Sequence, residues 1–349
     1  MAKNTRYAWA DYLKFICIIA VIITHNPWSL EQRIMFGFNF HIDMAVPIFM
    51  ILSGYFSTYT YVKLGLDKYY SSQNITKKLF RYILPYVVIF VLEMIAYFHS
   101  GQSQSLIMIR NNFLSGSSGP GGYYIPIMFQ FVFMVPIIIE IIKRKKTKGL
   151  VICAIINFVY EILVQAYSVS AETYRLIVFR YILLIACGAW FYFYTNKEIS
   201  CKKIHLKSTI SIIIGVVYIY LITYTNYIPK MFIYWKQTSM MIAFWVFPLF
   251  LLFYTVAKKL PNSKLQIFGA ASYHIFLFQM FYFLYAKSRL LRYINISSFL
   301  GIILMDIAVC VLCGTIFYFI ETKFEKKSLN LIFKLSNKYK HNNFNKNNL

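Results

Sequence analysis

"RYAWADYLKFICIIAVIITHN", residues 6–26, is apolar over a length that suits a bilayer crossing, yet it holds Asp11, Lys14 and His25. An α-helix rises 1.5 Å per residue, so about 20 apolar residues cross the hydrocarbon core. An ionisable side chain inside such a span costs ~2.5–3.5 kcal/mol on insertion scales and needs a compensating role. Lys14 and His25 are eleven positions apart. Helical geometry leaves about 20° between them around the axis and roughly 16 Å along it. Asp11 falls about 40° from His25 on the same side. The three form a polar stripe that lipid would penalise, so the stripe is expected to face the bundle interior or a cavity. One reading is structural: an Asp11–Lys14 pair, and a hydrogen-bonded His25 ahead of Asn26 and Pro27. The other is chemical. Imidazole suits the removal of a proton from a hydroxyl near neutral pH, and a cation half a span below it can hold the phosphates of an anionic donor.

The rest of the chain agrees with a membrane setting. Of 349 residues, 59% are hydrophobic and 14% charged, and the mean hydropathy is +0.57. A soluble domain carries about a quarter charged residues. Ten apolar stretches stand at 8–27, 41–60, 79–98, 121–142, 149–169, 174–195, 208–226, 238–257, 266–286 and 298–320. Each is near the length of a spanning helix and too long for a barrel strand. The expected fold is all-α: a polytopic membrane helix bundle of about ten transmembrane helices. The first run is too long for a cleavable signal and lacks a small-residue cleavage site, so it is expected to remain as a span.

The net charge of +24 does not indicate nucleic acid, because the basic residues sit in short clusters between apolar runs. With the N-terminus inside, the inner segments hold 26 of the 36 Lys and Arg residues and the outer segments eight. That bias places both termini in the cytoplasm. Residues 1–321 read as one transmembrane domain and 322–349 as a basic, mobile cytoplasmic tail attracted to anionic lipid. The Gly and Ser cluster at 115–122 reads as a flexible turn within a loop-like outer stretch, 99–122. The six cysteines lie mostly in apolar runs. Cys310 and Cys313 have no His or further Cys nearby, so no metal site is expected.

Other ionisable residues fall within spans: Asp43, Glu93, Glu161, Arg180, His274 and Asp306. Glu140 and Glu321 lie at inner helix ends beside basic residues and can snorkel. Arg180 either pairs with Glu161 or Asp43, or holds an oxyanion or an acidic substrate. His41 and Asp43 open the second span on the outer side, either bordering the cavity of His25 or simply interfacial. Ser53 and Gly54 read first as small residues that let helices approach.

Several of these segments together resemble the membrane acyltransferase 3 family, the multi-helix enzymes that O-acylate sugars on or outside bacterial cells. The first helix carries Asp11-Tyr12-Leu13-Lys14 and then His25, similar to that family's Asp-x-Leu-(Arg/Lys) and later His. "VPIFMILSGYF" (Val46–Phe56) resembles its Ser-Gly-Tyr signature, and "KKLFRYILPY" (Lys77–Tyr86) its basic segment and Pro-containing third helix. "GGYYIPIMFQ" (Gly121–Gln130) has Tyr123 where Trp is usual. "FGAASYHIFLFQ" (Phe268–Gln279) has Phe276 where Tyr is common and Gln279 where His is common.

The resemblance implies transfer of an acyl group, most often acetyl, from cytoplasmic acyl-CoA to a carbohydrate hydroxyl. On it, His25 is the general base, with Asp11 in the same catalytic motif. Lys14 and Arg180 are assigned to the donor, and Ser53, Asp43, Tyr123 and Gln279 to substrate contacts. Lys14 replaces the usual Arg and binds phosphate as a point charge, without a bidentate fork. Gln279 can orient a hydroxyl but cannot shuttle a proton. No permanently bound cofactor is implied; acyl-CoA is the donor substrate. The implied partners are a glycan acceptor, the bilayer, and polysaccharide biosynthesis or export proteins or a second copy of the chain, at the cytoplasmic membrane. The alternative from another class is a transporter or flippase for a polysaccharide or lipid-linked sugar. Such proteins often show paired repeats, and the Asp-Lys-His stripe has no second copy in the sequence.

Overall fold

The structure, a computed structural model, describes residues 7–101, 104–195, 201–225, 227, 234, 239–294, 296 and 298–346. Its longer helices are α1 (Ala8–Thr24), α2 (Ala45–Leu64), α3 (Ser72–His99), α4 (Leu106–Ser115), α5 (Tyr124–Lys145), α6 (Thr147–Ala166), α7 (Ile182–Thr195), α8 (Cys201–Tyr224), α9 (Ala243–Ala257), α10 (Ser272–Phe281) and α11 (Phe299–Lys346). No strand occurs among the described residues.

Six helical stretches among the described residues are long and apolar enough to cross a membrane: Phe38–Leu64, Ser72–His99, Tyr124–Lys145, Thr147–Ala166, Met240–Lys259 and Phe299–Ile332. Val178–Tyr194 and Thr209–Tyr224 are apolar but shorter. The remaining two of the ten sequence stretches are also helical. α1 is 17 residues long, because the residue before Pro27 disfavours the α region and the chain turns out at His25. The stretch at 266–286 is divided into Gln266–Ala270, α10 and a π-helical turn Tyr282–Ala286, and continues as Lys287–Tyr293.

α1 lies at the centre, packed against α2, α9, α10, α11 and the short helix Gln266–Ala270. The helix therefore meets protein on most sides, with Ile16 left exposed. Glycines set the closest approaches. A β-carbon on Gly54 would collide with the Ile185 carbonyl, and one on Gly188 with the Ile51 carbonyl, so α2 and α7 meet backbone to backbone. The packing reading of Ser53–Gly54 thus holds for the glycine.

The stretch 104–122, loop-like in composition, holds a helix. α4 begins at Ser105, whose hydroxyl accepts from the Met108 N–H at 3.3 Å, and ends at Gly116 with φ +89°. These are ordinary start and stop signals. The Gly-Ser cluster is packed rather than free: Ser117 is buried, and Gly116 and Gly122 contact each other's backbone. α11 continues across residue 321 without a backbone break.

Candidate active site

A cavity of about 410 Å³ opens among α1, α2, α3, α5 and α10. Lys14, Lys78 and Arg81 border it, with the hydroxyl residues Ser53, Ser57, Thr60, Tyr69 and Tyr82; Val21, Val46, Met128 and Phe276 form apolar wall. Positions 78, 81 and 82 share a helical face, so α3 presents Lys78, Arg81 and Tyr82 together. Lys78 Nζ sits 3.0 Å from the centroid of the Tyr69 ring and makes no hydrogen bond among the described residues. Burial pushes the Tyr69 hydroxyl above its ordinary value, so this ring stays neutral and offers the ammonium only its π face. Arg81 is held by Glu325 of α11 at 3.5 Å. Lys14 stands 3.6 Å from Asp11 and 4.9 Å from the Phe56 ring centroid. The expected Asp11–Lys14 pair is present, and it borders a cavity.

His25 lies beyond the far end of this cavity. Its ring meets Phe283 edge to face at 5.8 Å between centroids. Phe276 lines the cavity and also abuts Gly121: a β-carbon there would stand 3.0 Å from the Phe276 ring and 3.9 Å from Nε2 of His25. Gly121 thus brings together Phe276 of the cavity wall and the imidazole of His25. Gly121 has φ +91°, a conformation that side chains rarely adopt.

The Gly-rich segment over His25 is fixed from two directions. Ser117 donates a hydrogen bond to the buried Glu93 and accepts one from the Gly119 N–H at 3.0 Å. Gln279, fully buried, donates from Nε2 to the Pro120 carbonyl at 3.4 Å, while its Oε1 has no partner among the described residues. Gln279 therefore positions a loop here and lies outside the cavity wall.

The other sequence candidates are spread around the bundle. Asp11 is fourteen residues from His25, roughly 21 Å along α1, and is not brought to it. Asp43 pairs with Arg33 at 2.8 Å rather than with Arg180. Glu161 accepts from the Tyr174 hydroxyl at 2.8 Å and forms no ion pair with Arg180. Arg180 is 2% exposed and surrounded by Tyr123, Tyr174 and Tyr181, its guanidinium carbon 5.6, 5.0 and 4.6 Å from their ring centroids. Its Nε and Nη1 make no hydrogen bond among the described residues, and it does not line the cavity of Lys14. Glu140 does snorkel, meeting Lys143 at 3.1 Å and Arg144 at 3.0 Å. Glu321 does not: it is 4% exposed and pairs with His274 at 2.9 Å, because α11 turns this face onto α10. Among the described residues, no three His, Cys, Asp or Glu side chains converge as a metal site would require.

The family model described as "Acyltransferase domain" (acyltransferase 3) matches residues 7–317. The chain belongs to the acyltransferase 3 family. No curated protein and no solved structure matches the chain. The family match begins before α1 and ends within α11, so it takes in both the cavity and His25. This acyltransferase is accordingly a membrane protein of the multi-pass type, with several apolar spanning helices. Sequence reasoning gave Lys78 and Arg81 no role, although their spacing of three ahead of Pro85 signals one face of α3. The apolar stretch 266–286 stops short of Lys287, whereas Lys287 opens a further helical segment and pairs with the buried Asp306 at 2.6 Å.

Proposed function

We propose that this acyltransferase moves an acyl group, acetyl in the simplest case, from cytoplasmic acyl-CoA to a hydroxyl of a cell-envelope or secreted glycan. The observation that carries the reading is the cavity with Lys14, Lys78 and Arg81 around it and His25 beyond its far end. A CoA thioester has its phosphates at one end of a long thin arm and its reactive carbonyl at the other. The three cations suit the phosphates, and the Lys14–His25 rise of roughly 16 Å gives the arm its path. Phe276 then turns aside to admit the thioester. His25 takes the proton of the acceptor hydroxyl as that oxygen attacks the thioester carbonyl. Collapse of the tetrahedral adduct breaks the C–S bond, and the thiolate leaves and is protonated by the imidazolium. On this reading the donor binds transiently, the cationic end of the cavity and both termini are cytoplasmic, and the protein sits in the cytoplasmic membrane.

Two experiments test it. Mass spectrometry of envelope glycans with and without the protein should show one ester mass lost without it; unchanged esters with reduced glycan export would contradict it. Cysteines placed at Lys145 and Gly101 should react with an impermeant reagent from the inside and the outside respectively. Reaction of the Lys145 position from outside would invert the topology.

A further inference from the structure

Four side chains from three segments meet beside His25. Lys287 Nζ donates to Asp306 Oδ2 at 2.6 Å and to Asn26 Oδ1 at 2.8 Å. The Tyr282 hydroxyl donates to the other oxygen of Asp306 at 2.7 Å. Asn26, next to His25 in the chain, is buried, and its Nδ2 donates to the Ile22 carbonyl at 3.3 Å, folding the end of α1 back on itself. Lys287 Nζ also lies 4.8 Å from the centroid of Phe283, the ring that meets His25. The π-helical turn Tyr282–Ala286 brings this about. Turns of that kind are often found at functional sites; this one carries Tyr282 and Phe283 and is followed directly by Lys287.

Asp306 is fully buried and Lys287 nearly so. A buried ion pair is a poor source of stability, since a well-packed apolar pair at the same place is often as stable or more so. Here the pair fixes both neighbours of the imidazole: the backbone through Asn26 and the ring face through Phe283. We propose that Lys287, anchored by Asp306, is a positioning residue for His25, holding the imidazole at the angle needed to face the acceptor hydroxyl. The inference rests on the reading of His25 as general base. A catalytic group moved by 1 Å can lose about 10²-fold in rate, so the effect belongs in turnover and not in donor affinity.

The test compares Lys287→Arg, the double variant Lys287→Met/Asp306→Leu, His25→Gln and the triple combination. Membranes with equal amounts of folded protein receive [14C]acetyl-CoA or [14C]succinyl-CoA, whichever the wild type uses, and label in glycan ester is followed. The double variant strands no charge, but the Tyr282 hydroxyl and Asn26 Oδ1 each lose a partner, so a modest fall in melting temperature is expected and turnover is compared per folded protein. It should lose about 10–100-fold in turnover with donor KM within about twofold, and add no further loss to His25→Gln. Lys287→Arg should recover part of the turnover, because a guanidinium can still bridge Asp306 and Asn26. Normal turnover in the double variant beside a disabled His25→Gln overturns this inference alone, as does an equal further loss in the triple variant. Normal turnover in His25→Gln overturns the base assignment, and with it the inference.

Discussion

The two ends of the bundle treat charge differently. At the end bordered by Lys14, Lys78 and Arg81, cations line open space, and Lys78 has only an aromatic face beneath it. The end that holds His25 has two ion pairs, Arg33 with Asp43 and Lys287 with Asp306, the latter tied to Asn26, and Arg180 set among tyrosines. Backbone there is drawn tight by Gly116, Gly121 and Gly122. An end with room and three cations around it, two of them in partly exposed pairs with Asp11 and Glu325, is organised to receive an anion. An end with a buried ion pair and a packed loop is organised to hold one imidazole still. The contrast suits a reaction whose donor brings its charge in at one side and whose chemistry happens at the other.

If the contrast is right, changes at the two ends should separate in the kinetics. The largest effect is expected from Lys78→Ala combined with Arg81→Ala. Each charge-assisted hydrogen bond to phosphate is worth ~1.5–3 kcal/mol, so donor KM should rise at least about 10²-fold while turnover at saturating donor stays within about threefold. A fall in turnover with unchanged KM would place the donor elsewhere.

Gly121→Ala comes next, and strikes the other end. A strained φ costs of order 1–3 kcal/mol, and the added β-carbon presses on the Phe276 ring. Turnover should fall about tenfold and the melting temperature in detergent should drop, with donor KM nearly unmoved. A KM effect instead would join the two ends functionally. Salt is a gentler probe. Lys14 and Arg81 are partly exposed, and the Debye length shrinks from about 10 Å at 0.1 M to about 3 Å at 1 M. Donor KM should rise a few-fold over that range while turnover stays constant, because the buried Lys287–Asp306 pair is shielded from ions. The smallest effect is expected from Glu140→Gln, since its cation partners are exposed and such pairs contribute at most about 1 kcal/mol. Thermal stability measurements should show a shift near their error; a large loss would give this cluster a structural role that its exposure does not suggest.

The polar stripe of α1 was legible in the sequence because it depends only on helical periodicity, and so was the Asp11–Lys14 pair three residues apart. Ser105 and Gly116 mark α4 as plainly as any caps do, yet the Ser and Gly content around them reads as loop. The long-range pairs were not legible. Nothing local joins Lys287 to Asp306, or Arg33 to Asp43; folding chose those partners, and in doing so left Arg180 among tyrosines. Hydropathy ends the stretch 266–286 at the charge of Lys287, whereas a charge with a buried partner can continue the helix. Glu321 misleads for the converse reason: basic neighbours suggest an exposed helix end, and packing of α11 on α10 buries it against His274.

The central claim is that His25 is the base for transfer, and His25→Gln tests it most directly. Glutamine keeps hydrogen-bonding capacity at about the same size but cannot take the proton. A general base contributes roughly 10²–10⁴-fold. With equal amounts of folded protein and saturating donor, His25→Gln should show acyl transfer to glycan reduced at least about 10²-fold while donor KM stays near the wild-type value. Turnover above about a tenth of wild type falls outside the range for a general base and would contradict the account, even with the family membership unchanged.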